Sequence, residues 1–537
     1  MIIRLSPTGG NDTPAVIGAL EKLRENGGGE LRFASGEYHF FRVGTRREFF
    51  AVSNNSACDK YMVFPLIGMK DLTVDGSGAL FVFHEITFPF LVSNSQNITL
   101  KNFTVDTGSS PLVEFSIRDH TDEGFYMDID AEASPFFVEN ESLCFRRENG
   151  VLHGLHTRLT LHAIGRHEVQ YFATGDCKAD LNNLSVSLMR CDVSPTPTGV
   201  YARYRADSPS KCVFGEETVT SIVDGKREVD VICLDRSENV TVKDVRVARG
   251  IGMGIVGQLS KNITVDGFCT AISHHPGARQ TLTADALHFI HCDGNLEVKN
   301  CVISDIMDDV INVHGIYTTL ERFETEEILV SLRHQEQYFF NPYRTGDRLE
   351  VIDPESREIV AEFLVAEAEF SDERGIEILL KGSFSYGFEG LQKGFWIENP
   401  DRMPNLHLHH NDFYNYPNLR VSGAGEILIE ENRFSNCKSG LVCMDLANYW
   451  YESGRVKHLC YRNNLLENCN QYGGKGFLRI GVDGVVCENA PKIHERIEII
   501  GNRFSGIKTY AVSADAVKEL ILRGNVVEDD REGIFRI

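Results

Sequence analysis

The chain has 537 residues, 42% of them hydrophobic and 24% charged, an ordinary globular composition that is long enough for several domains. Its 54 basic and 77 acidic residues give a net charge of −23. Nucleic acids and anionic membranes bind proteins through basic surfaces, so the charge balance argues against both as partners. It also disfavours a polyanionic polysaccharide as substrate and favours a neutral ligand.

No apolar run reaches the ~18 residues of a membrane-spanning helix, and the opening MIIRLSPTGG lacks the pattern of a signal peptide. We therefore expect a cytoplasmic protein, or a secreted one whose leader has been removed. The 14 cysteines include no Cys-x-x-Cys pair, and several occupy repeat positions that are apolar elsewhere. This pattern predicts buried, reduced thiols rather than zinc ligands or disulfides.

The amino terminus predicts a short helix that caps the fold. Residues 11–13, Asn-Asp-Thr, are suitable N-caps, and Pro14 suits a first helical turn. Residues 15–24 then follow helical periodicity, and the glycines at 27–29 end the helix. A short strand is expected at 30–33.

A nine-residue theme recurs along the chain, in which apolar residues alternate with polar ones around a turn that carries Asn or Gly. Two of its intervals, 239 to 262 and 496 to 519, are 23 residues, a common length for one coil of a parallel β-solenoid. The turn asparagines are expected to hydrogen-bond to their copies in neighbouring coils. The theme thus predicts an all-β parallel solenoid. Its copies are NITLKNFTV from Asn97, NVTVKDVRV from Asn239, NITVDGFCT from Asn262, NLEVKNCVI from Asn295, EILIEENRF from Glu426, HLCYRNNLL from His458, RIEIIGNRF from Arg496 and ELILRGNVV from Glu519.

Two stretches lack the repeat and show alternating strand patterns instead. They indicate two inserted antiparallel β modules, barrel-like or sandwich-like, that leave the solenoid and return to it. Because both adjoin the central coils, both are expected to rim the same cleft. The predicted domains are an N-terminal cap with the first coils at 1–112, an inserted module at 113–230, central coils with the site at 231–317, a second inserted module at 318–402 and C-terminal coils at 403–537.

Segment 283–317 carries the candidate catalytic residues Asp285, Asp308 and Asp309. Asp285 and Asp308 are 23 residues apart, so stacking of one coil on the next, with strands about 4.8 Å apart, would place them side by side. Like charges held that close cannot all ionise freely, which supplies an acid beside a base. A solvated acidic turn is the alternative interpretation.

The same register predicts that Gly252 stacks with Asp285 and Asp308, and that glycines around it leave room for a ring beside the acids. Residues 252–257 also form a GxGxxG pattern, but no helix follows, as a dinucleotide site would require.

On a regular strand Asp308 and Asp309 would point to opposite faces. We therefore expect a bulge or a strand end that turns both outward.

The Asp285 motif, followed one coil later by MDDVINVHGIY at 307–317, resembles glycoside hydrolase family 110. These are exo-acting α-galactosidases that remove terminal α-1,3-linked galactose, as on blood-group B antigens. The likeness covers essentially the whole chain, including both insertions and the NYWYESG run at 448–454. It implies a right-handed parallel β-helix with inserted β-barrel domains, a galactose-terminated glycan as substrate, and an inverting mechanism that needs no cofactor.

The three-aspartate layout is also similar to that of polygalacturonases, in which the first aspartate of the adjacent pair is the acid and the other two hold the water. By that analogy Asp308 protonates the leaving oxygen, and Asp285 with Asp309 deprotonates the attacking water. An inverting site of this kind has carboxyl groups about 6.5–9.5 Å apart.

Further residues near these acids are candidates for binding sugar hydroxyls. Trp450 could stack on galactose while Glu452 bonds to its hydroxyls, although a packed loop aromatic and structural histidines are the ordinary alternatives. The HExxH and calcium-loop patterns are absent, so no metal site is expected. The expected substrate-binding residues are His288, Asn312, His314, Arg420, Trp450 and Glu452.

Three other classes of protein use similar folds. A polygalacturonase-like pectin hydrolase would want a basic cleft, and its Arg-x-Lys signature has no counterpart after the acids here. A β-elimination lyase would need a calcium cluster and an Arg or Lys base. A non-catalytic solenoid, such as an adhesin or tailspike module, would still bind sugar after loss of the three aspartates. A homo-oligomer is compatible with the sequence.

Overall fold

The main body of the protein is a parallel β-helix, as the repeat predicts. Strands of successive coils pair in parallel with a 23-residue offset where the repeat is regular, for example Val240 with Ile263 and Arg496 with Glu519. The computed structural model describes residues 1–109, 112–119, 121, 123–132, 134–147, 150–153, 155–163, 191–204, 217–223, 227–272, 280–416, 418–445, 449–469, 476–482, 491–507, 510–528 and 535–536.

The first sheet of the solenoid follows the nine-residue theme, and most copies form two short strands separated by a turn. Long strands span both positions in the early coils, where the turn is absorbed into a continuous pairing. The strands of the first sheet are Ile2–Leu5, Gly29–Phe33, Glu37–Phe40, Lys70–Phe83, Gln96–Thr107, Glu238–Val247, Lys261–Asp266, Cys269–Thr270, Asp293–Lys299, Val302–Ser304, Asn405–His409, Asp412–Tyr414, Glu426–Glu430, Arg433–Ser435, His458–Arg462, Leu465–Glu467, His494–Ile500, Arg503–Ser505, Val517–Arg523 and Val526–Val527.

The second sheet closes the other side of each coil. Most of its strands pair in parallel, but Arg46–Phe50 pairs antiparallel with Cys58–Ile67, and the short strand Glu452–Ser453 pairs antiparallel with the end of Ile311–Ile316. The strands of the second sheet are Arg46–Phe50, Cys58–Ile67, Phe88–Ser93, Ile232–Asp235, Ile255–Gln258, Leu287–Ile290, Ile311–Ile316, Asn418–Val421, Ser439–Asp445, Glu452–Ser453, Leu478–Val482, Val512–Ala514 and Phe535–Arg536.

The solenoid interior is filled because side chains alternate across each strand. In one repeat, Val240 and Val242 are buried while Lys243 is exposed. Equivalent positions stack from coil to coil, so like side chains pack on one another, as Phe64 and Phe90 do with ring centroids 4.3 Å apart. The result is one continuous apolar core along the solenoid.

The helix Thr13–Glu25 covers the first coil and begins close to the predicted position. Asp12 is its N-cap residue, although it makes no side-chain capping hydrogen bond to the helix. Val16, Leu20 and Leu23 form the buried face, and this face closes the open end of the solenoid core. No helix among the described residues is long and apolar enough to cross a membrane.

The turn asparagines form hydrogen-bonded ladders, as expected. On the surface, Asn239 Nδ2 donates to Asn97 Oδ1 at 3.0 Å and Asn262 Nδ2 donates to Asn239 Oδ1 at 3.1 Å. All three have φ of 55–57°, a left-handed conformation that Asn tolerates better than most residues. A second ladder runs through the later coils and consists of Asn411, Asn432, Asn464, Asn502 and Asn525.

Both insertions are antiparallel β structures. The second closes into a six-stranded barrel, whereas the described strands of the first form a six-stranded sheet and a separate three-stranded sheet. The strands of the first insertion are Leu112–Arg118, Gly124–Ile129, Phe136–Glu139, Ser142–Arg147, Gly150–His153, Leu155–Ala163, Cys191–Pro195, Gly199–Tyr204 and Glu217–Val223. The barrel consists of Thr318–Glu324, Glu327–Ser331, Arg348–Ile352, Ile359–Phe370, Glu377–Tyr386 and Trp396–Glu398, with 3₁₀ turns at Gln335–Gln337 and Phe388–Gly390.

Ten cysteines among the residues whose side chains the structure describes are free thiols, and seven of these ten are buried. Cys301 illustrates their role, because it lies in the solenoid core among Leu296, Val298 and Ile303. Burial raises the pKa of its thiol to about 12, so it stays protonated and behaves as a small apolar side chain.

Asn464→Ala should destabilise the protein strongly, because the Asn464 side chain bonds to both neighbouring coils in the buried ladder. Removing it leaves several buried donors and acceptors unsatisfied, at a cost of about 3 kcal/mol. Thermal unfolding measures the effect. The matched control is the exposed Asn295→Ala, which loses only a long side-chain bond from Asn405 Nδ2 at 3.5 Å that water can replace. Equal midpoint losses for the two variants would contradict this role for the buried ladder.

Candidate active site

The three predicted acids lie where second-sheet strands begin. Asp285 precedes Leu287–Ile290, and Asp308 and Asp309 precede Ile311–Ile316 in a bend that follows the first sheet. The adjacent pair is therefore at a strand end, which is how a narrow solenoid turns two consecutive side chains away from its core. Asp285 and Asp309 are each 4% exposed, and Asp308 is half-buried.

The coil register at the site differs from the predicted one. Leu287 pairs with Ile311, so Asp285 is level with Asp309, one coil of 24 residues away, and not with Asp308. The Asp309 N–H donates to Asp285 Oδ1 at 3.2 Å, which joins the two acids directly. The prediction assumed the 23-residue period of the first sheet, but this coil is one residue longer.

The predicted role of the glycines is also wrong. A side chain at Gly252 would meet the carbonyl oxygen of Val229 at 2.1 Å, and one at Gly254 would meet that of Ala286 at 2.5 Å. These glycines therefore allow neighbouring coils to approach each other closely, and they leave no space for a ring. Gly252 also lies one position out of the stack, because the register places Met253 beside Asp285.

The carboxylates of Asp285, Asp308 and Asp309 converge, with one oxygen of each within 4.8 Å of the others. These closest oxygens are nearer than the expected separation of about 6.5–9.5 Å between carboxyl groups of inverting enzymes. The one-coil stacking explains this proximity, since adjacent strands are about 4.8 Å apart. Three acids this close can share a proton and hold one water between them.

Asp309 is held by two partners from the coil that follows the barrel. Arg420 Nε lies 2.7 Å from Asp309 Oδ2, and Asn418 Nδ2 donates to Oδ1 at 3.0 Å. Burial raises the pKa of Asp309 to about 6, against the opposing effect of the Arg420 guanidinium. The negative charge of Asp285 also raises this pKa. A carboxyl that titrates near neutral pH is suited to accepting a proton.

Asp308 is the most accessible of the three acids, with 18% of its side chain exposed. Arg227 Nη2 lies 3.7 Å from Asp308 Oδ2, and the Arg227 guanidinium stands 5.8 Å from the centre of the Trp450 ring. Arg227 Nη1 also donates to the Asn54 carbonyl at 3.4 Å. Asp308 thus faces the mouth of the site beneath a positively charged side chain.

Two histidines packed edge to face, with ring centroids 5.0 Å apart, fix the proton arrangement at Asp285. His314 Nδ1 lies 2.7 Å from the Gly315 carbonyl, so it carries a proton, and burial lowers the pKa of His314 and keeps the ring neutral. Its Nε2 is then an acceptor, and His288 Nε2 donates to it at 3.1 Å. His288 Nδ1 lies 2.6 Å from Asp285 Oδ2, so one proton must lie between these two atoms.

Glu452 and Asn312 form the floor beside these histidines. Asn312 Nδ2 donates to Glu452 Oε1 at 3.3 Å, and Asn54 Nδ2 approaches the same oxygen at 3.4 Å. Both bonds are long, so a sugar hydroxyl can compete for these groups. Trp450 forms a wall and is held by the barrel, because Gln337 Nε2 donates to its carbonyl at 2.7 Å and the His334 ring packs 4.2 Å from its indole.

Together these side chains form one small polar pocket with a volume of about 100 Å³. The structure brings together eight of the nine residues predicted for the site. His314 is the exception, since it lies behind His288 and orients that ring without lining the pocket. The lining residues are Asn54, Arg227, Asp285, His288, Asp308, Asp309, Asn312, Arg420, Trp450 and Glu452.

The sequence analysis missed Asn54 and Arg227. Asn54 is in a loop of the first coils, has φ of 64°, and is tied to the barrel by its N–H bond to the Glu336 carbonyl at 2.8 Å. Arg227 follows the last strand of the first insertion. Neither carries a motif, but a cation where an inserted module rejoins the solenoid next to the acids was a usable signal for Arg227.

Two groups of side chains among the described residues have the spacing to hold a metal ion. One is the aspartate triad, where Arg227 and Arg420 already supply positive charge. The other is Glu297 with His407 and His409 on the first sheet.

A pocket of converging carboxylates, lined with hydrogen-bonding side chains and one indole, is the arrangement of a glycoside hydrolase. No family model matches the chain. It is 25% identical to α-1,3-galactosidase A of Shewanella woodyi, over 93% of this chain and 80% of that one. It is 26% identical to α-1,3-galactosidase B of Parabacteroides distasonis (98% and 87% covered) and 27% identical to α-1,3-galactosidase B of Bacteroides fragilis (97% and 89% covered).

These similarities support the assignment to glycoside hydrolase family 110 that the motifs indicated. Among solved structures, polygalacturonase from Erwinia carotovora ssp. carotovora aligns over 99% of this chain and 94% of its own, with 8% identity and a TM-score of 0.43. That likeness bears on neither activity nor substrate.

Arg420→Gln should raise the pKa of Asp309 above about 6, because the opposing cation is lost while burial remains. The acid limb of the kcat/KM profile should then move to higher pH by roughly one unit. Assays of hydrolysis from about pH 4 to about pH 8 measure it. Arg236→Gln, which removes a cation paired with Asp235 outside the pocket, is the control. An unmoved acid limb in Arg420→Gln would show that Asp309 does not govern it.

Proposed function

We propose that the protein is an exo-acting glycoside hydrolase that releases terminal α-1,3-linked galactose from oligosaccharides or glycoconjugates. The observation that carries the proposal is the convergence of three carboxylates in a small pocket of a chain whose relatives are named α-1,3-galactosidases. A volume of about 100 Å³ is small beside the roughly 300–1,000 Å³ of drug-sized ligand sites. Such a pocket suits one terminal sugar better than the interior of a chain.

In the proposed reaction Asp308 is the acid. It is the most exposed of the three acids and faces the mouth through which a leaving group departs. The charges of Asp285 and Asp309 favour a proton on Asp308, and substrate binding must offset the opposing effect of Arg227. The Asp308 proton passes to the glycosidic oxygen as the bond from that oxygen to the anomeric carbon breaks.

A water held by Asp285 and Asp309 attacks the anomeric carbon from the opposite face and gives its proton to one of them. Asp309 suits the role of base because its pKa is near 6 and its carboxylate is oriented by Arg420 and Asn418. Asp285 is oriented by His288 and by the Asp309 N–H. His314 acts one step further back, as a positioning residue for His288.

The pocket arginines favour an uncharged sugar over an acidic one. Arg420 pairs with Asp309, and Arg227 approaches Asp308, so both cations face carboxylates of the protein. A uronic acid would have to compete with those carboxylates for its counter-ion. This weighs against the pectin hydrolase alternative.

Asp308→Asn should lower galactose release by roughly 100- to 10,000-fold while substrate binding remains, because an amide cannot donate the proton. The assay measures galactose released from linear and from fucosylated, branched α-1,3-galactosides, with calorimetry for binding. Asp244→Asn, in an exposed turn with φ of 51°, is the matched control. No release from either substrate by the wild type would overturn the galactosidase proposal. Full activity in Asp308→Asn would exclude Asp308 as the acid.

Inversion predicts that β-galactose is the first product, since water attacks the face opposite the α-linked leaving group. Proton NMR during the first minutes of hydrolysis distinguishes the two anomers before they equilibrate. Initial α-galactose would mean that one of the aspartates attacks the sugar directly, which would replace the water-mediated step by a covalent intermediate.

A further inference from the structure

A cluster of imidazoles and carboxylates lies on the outer face of the first sheet, away from the pocket. His407 and His409 are two residues apart on the strand Asn405–His409, so both side chains project from the same face. Their rings stack with centroids 4.0 Å apart. Glu297 comes from the neighbouring coil and pairs directly with His407 in the parallel register.

We propose that Glu297, His407 and His409 form a binding site for a divalent transition metal ion, with zinc as the best match. One ligand atom from each lies within 4.8 Å of the other two. Two imidazoles and one carboxylate, with a further position for water, form a common donor set for zinc.

The contacts of Glu297 and His409 direct one ligand atom of each side chain toward the other. Lys299 Nζ donates to Glu297 Oε2 at 2.8 Å, while Glu297 Oε1 lies 3.3 Å from His409 Nε2. The other nitrogen of His409, Nδ1, lies 2.8 Å from His410 Nδ1, which orients the ring from outside. Such outer partners fix the ring orientation in metal sites.

The His407 side is arranged in the same way. His407 Nε2 lies 2.9 Å from Glu430 Oε1, and Arg462 Nε donates to Glu430 Oε2 at 2.7 Å. Glu430 belongs to the next coil and lies two residues after Leu428, which pairs with His407 in the parallel register. A metal ion would replace the proton that His409 Nε2 and Glu297 Oε1 share and release it to solvent, while the bond from His407 to Glu430 would remain.

The position of the cluster gives the metal a structural role. Glu297 lies in the last coil of the first sheet before the barrel, and His407 and His409 lie in the first coil after it. The ion would therefore clamp two coils whose connection is interrupted by the barrel. Because the ligands are far apart in sequence, the ion would bind the folded chain and barely bind the unfolded one, which stabilises the fold.

The test is calorimetric titration of zinc chloride into the full chain after treatment with a chelator, together with thermal unfolding with and without zinc. We expect one zinc per chain and a higher unfolding temperature in the wild type. In His407→Gln/His409→Gln, binding should weaken by roughly 100-fold or more, because two of three ligands are lost, and the temperature shift should vanish.

His458→Gln is the matched control. His458 is also an imidazole between two carboxylates on the same sheet, bonded to Glu426 at 2.6 Å and Glu498 at 3.3 Å, but no second histidine of the described part of the chain joins it in a ligand group. This variant should bind zinc like the wild type. The proposal is overturned if the wild type does not bind zinc, or if the double variant binds it as tightly as the wild type does. Galactosidase activity is a separate readout, so failure here leaves the proposed function standing.

Discussion

The candidate active site depends on one hydrogen bond between coils, from the Asp309 N–H to Asp285 Oδ1. It exists because the coil between these residues has 24 residues, which places the two acids level with each other on adjacent strands. Two buried carboxylates side by side repel each other, and isolated burial of either would be costly. Arg420, Asn418 and His288 offset that cost, so the coil before the barrel and the coil after it must both be in register.

The insertions turn an open acidic surface into a pocket. A bare solenoid presents its strand ends to solvent, where three aspartates would simply be hydrated. The barrel segment 334–337 supports Trp450 through Gln337 and binds Asn54 through the Glu336 carbonyl, while Arg227 enters from the end of the first insertion. Residues of four separate stretches therefore surround the acids, and the exclusion of water strengthens every electrostatic contact there.

The solenoid was predictable because its repeat is local. Each nine-residue copy contains its own alternation of apolar and polar residues and its own turn residue. The same reasoning predicted that a bulge or a strand end turns Asp308 and Asp309 outward, because a narrow core cannot accept a carboxylate, and the structure has the strand end. It failed for the stacking partner of Asp285, which is Asp309 and not Asp308. A coil can gain one residue in a bend, and the hydrophobic repeat of the strands does not show this. Asn54 was out of reach for a related reason, because a tertiary contact with the barrel brings it to the pocket. Arg227 carried only an indirect signal, its place where the first insertion rejoins the solenoid.

The charge arrangement ties the fold to the choice of ligand. The chain carries a net charge of −23, yet two guanidinium groups line a pocket of about 100 Å³ that holds four carboxylates. Those cations compensate acids of the protein, so the pocket offers hydrogen bonds and an indole face to its ligand but little net positive potential. The uncharged hexose of the proposed function would meet these conditions, because its hydroxyls can accept bonds from Asn54 and Asn312, donate to Glu452, and leave the ion pairs that orient the three aspartates intact.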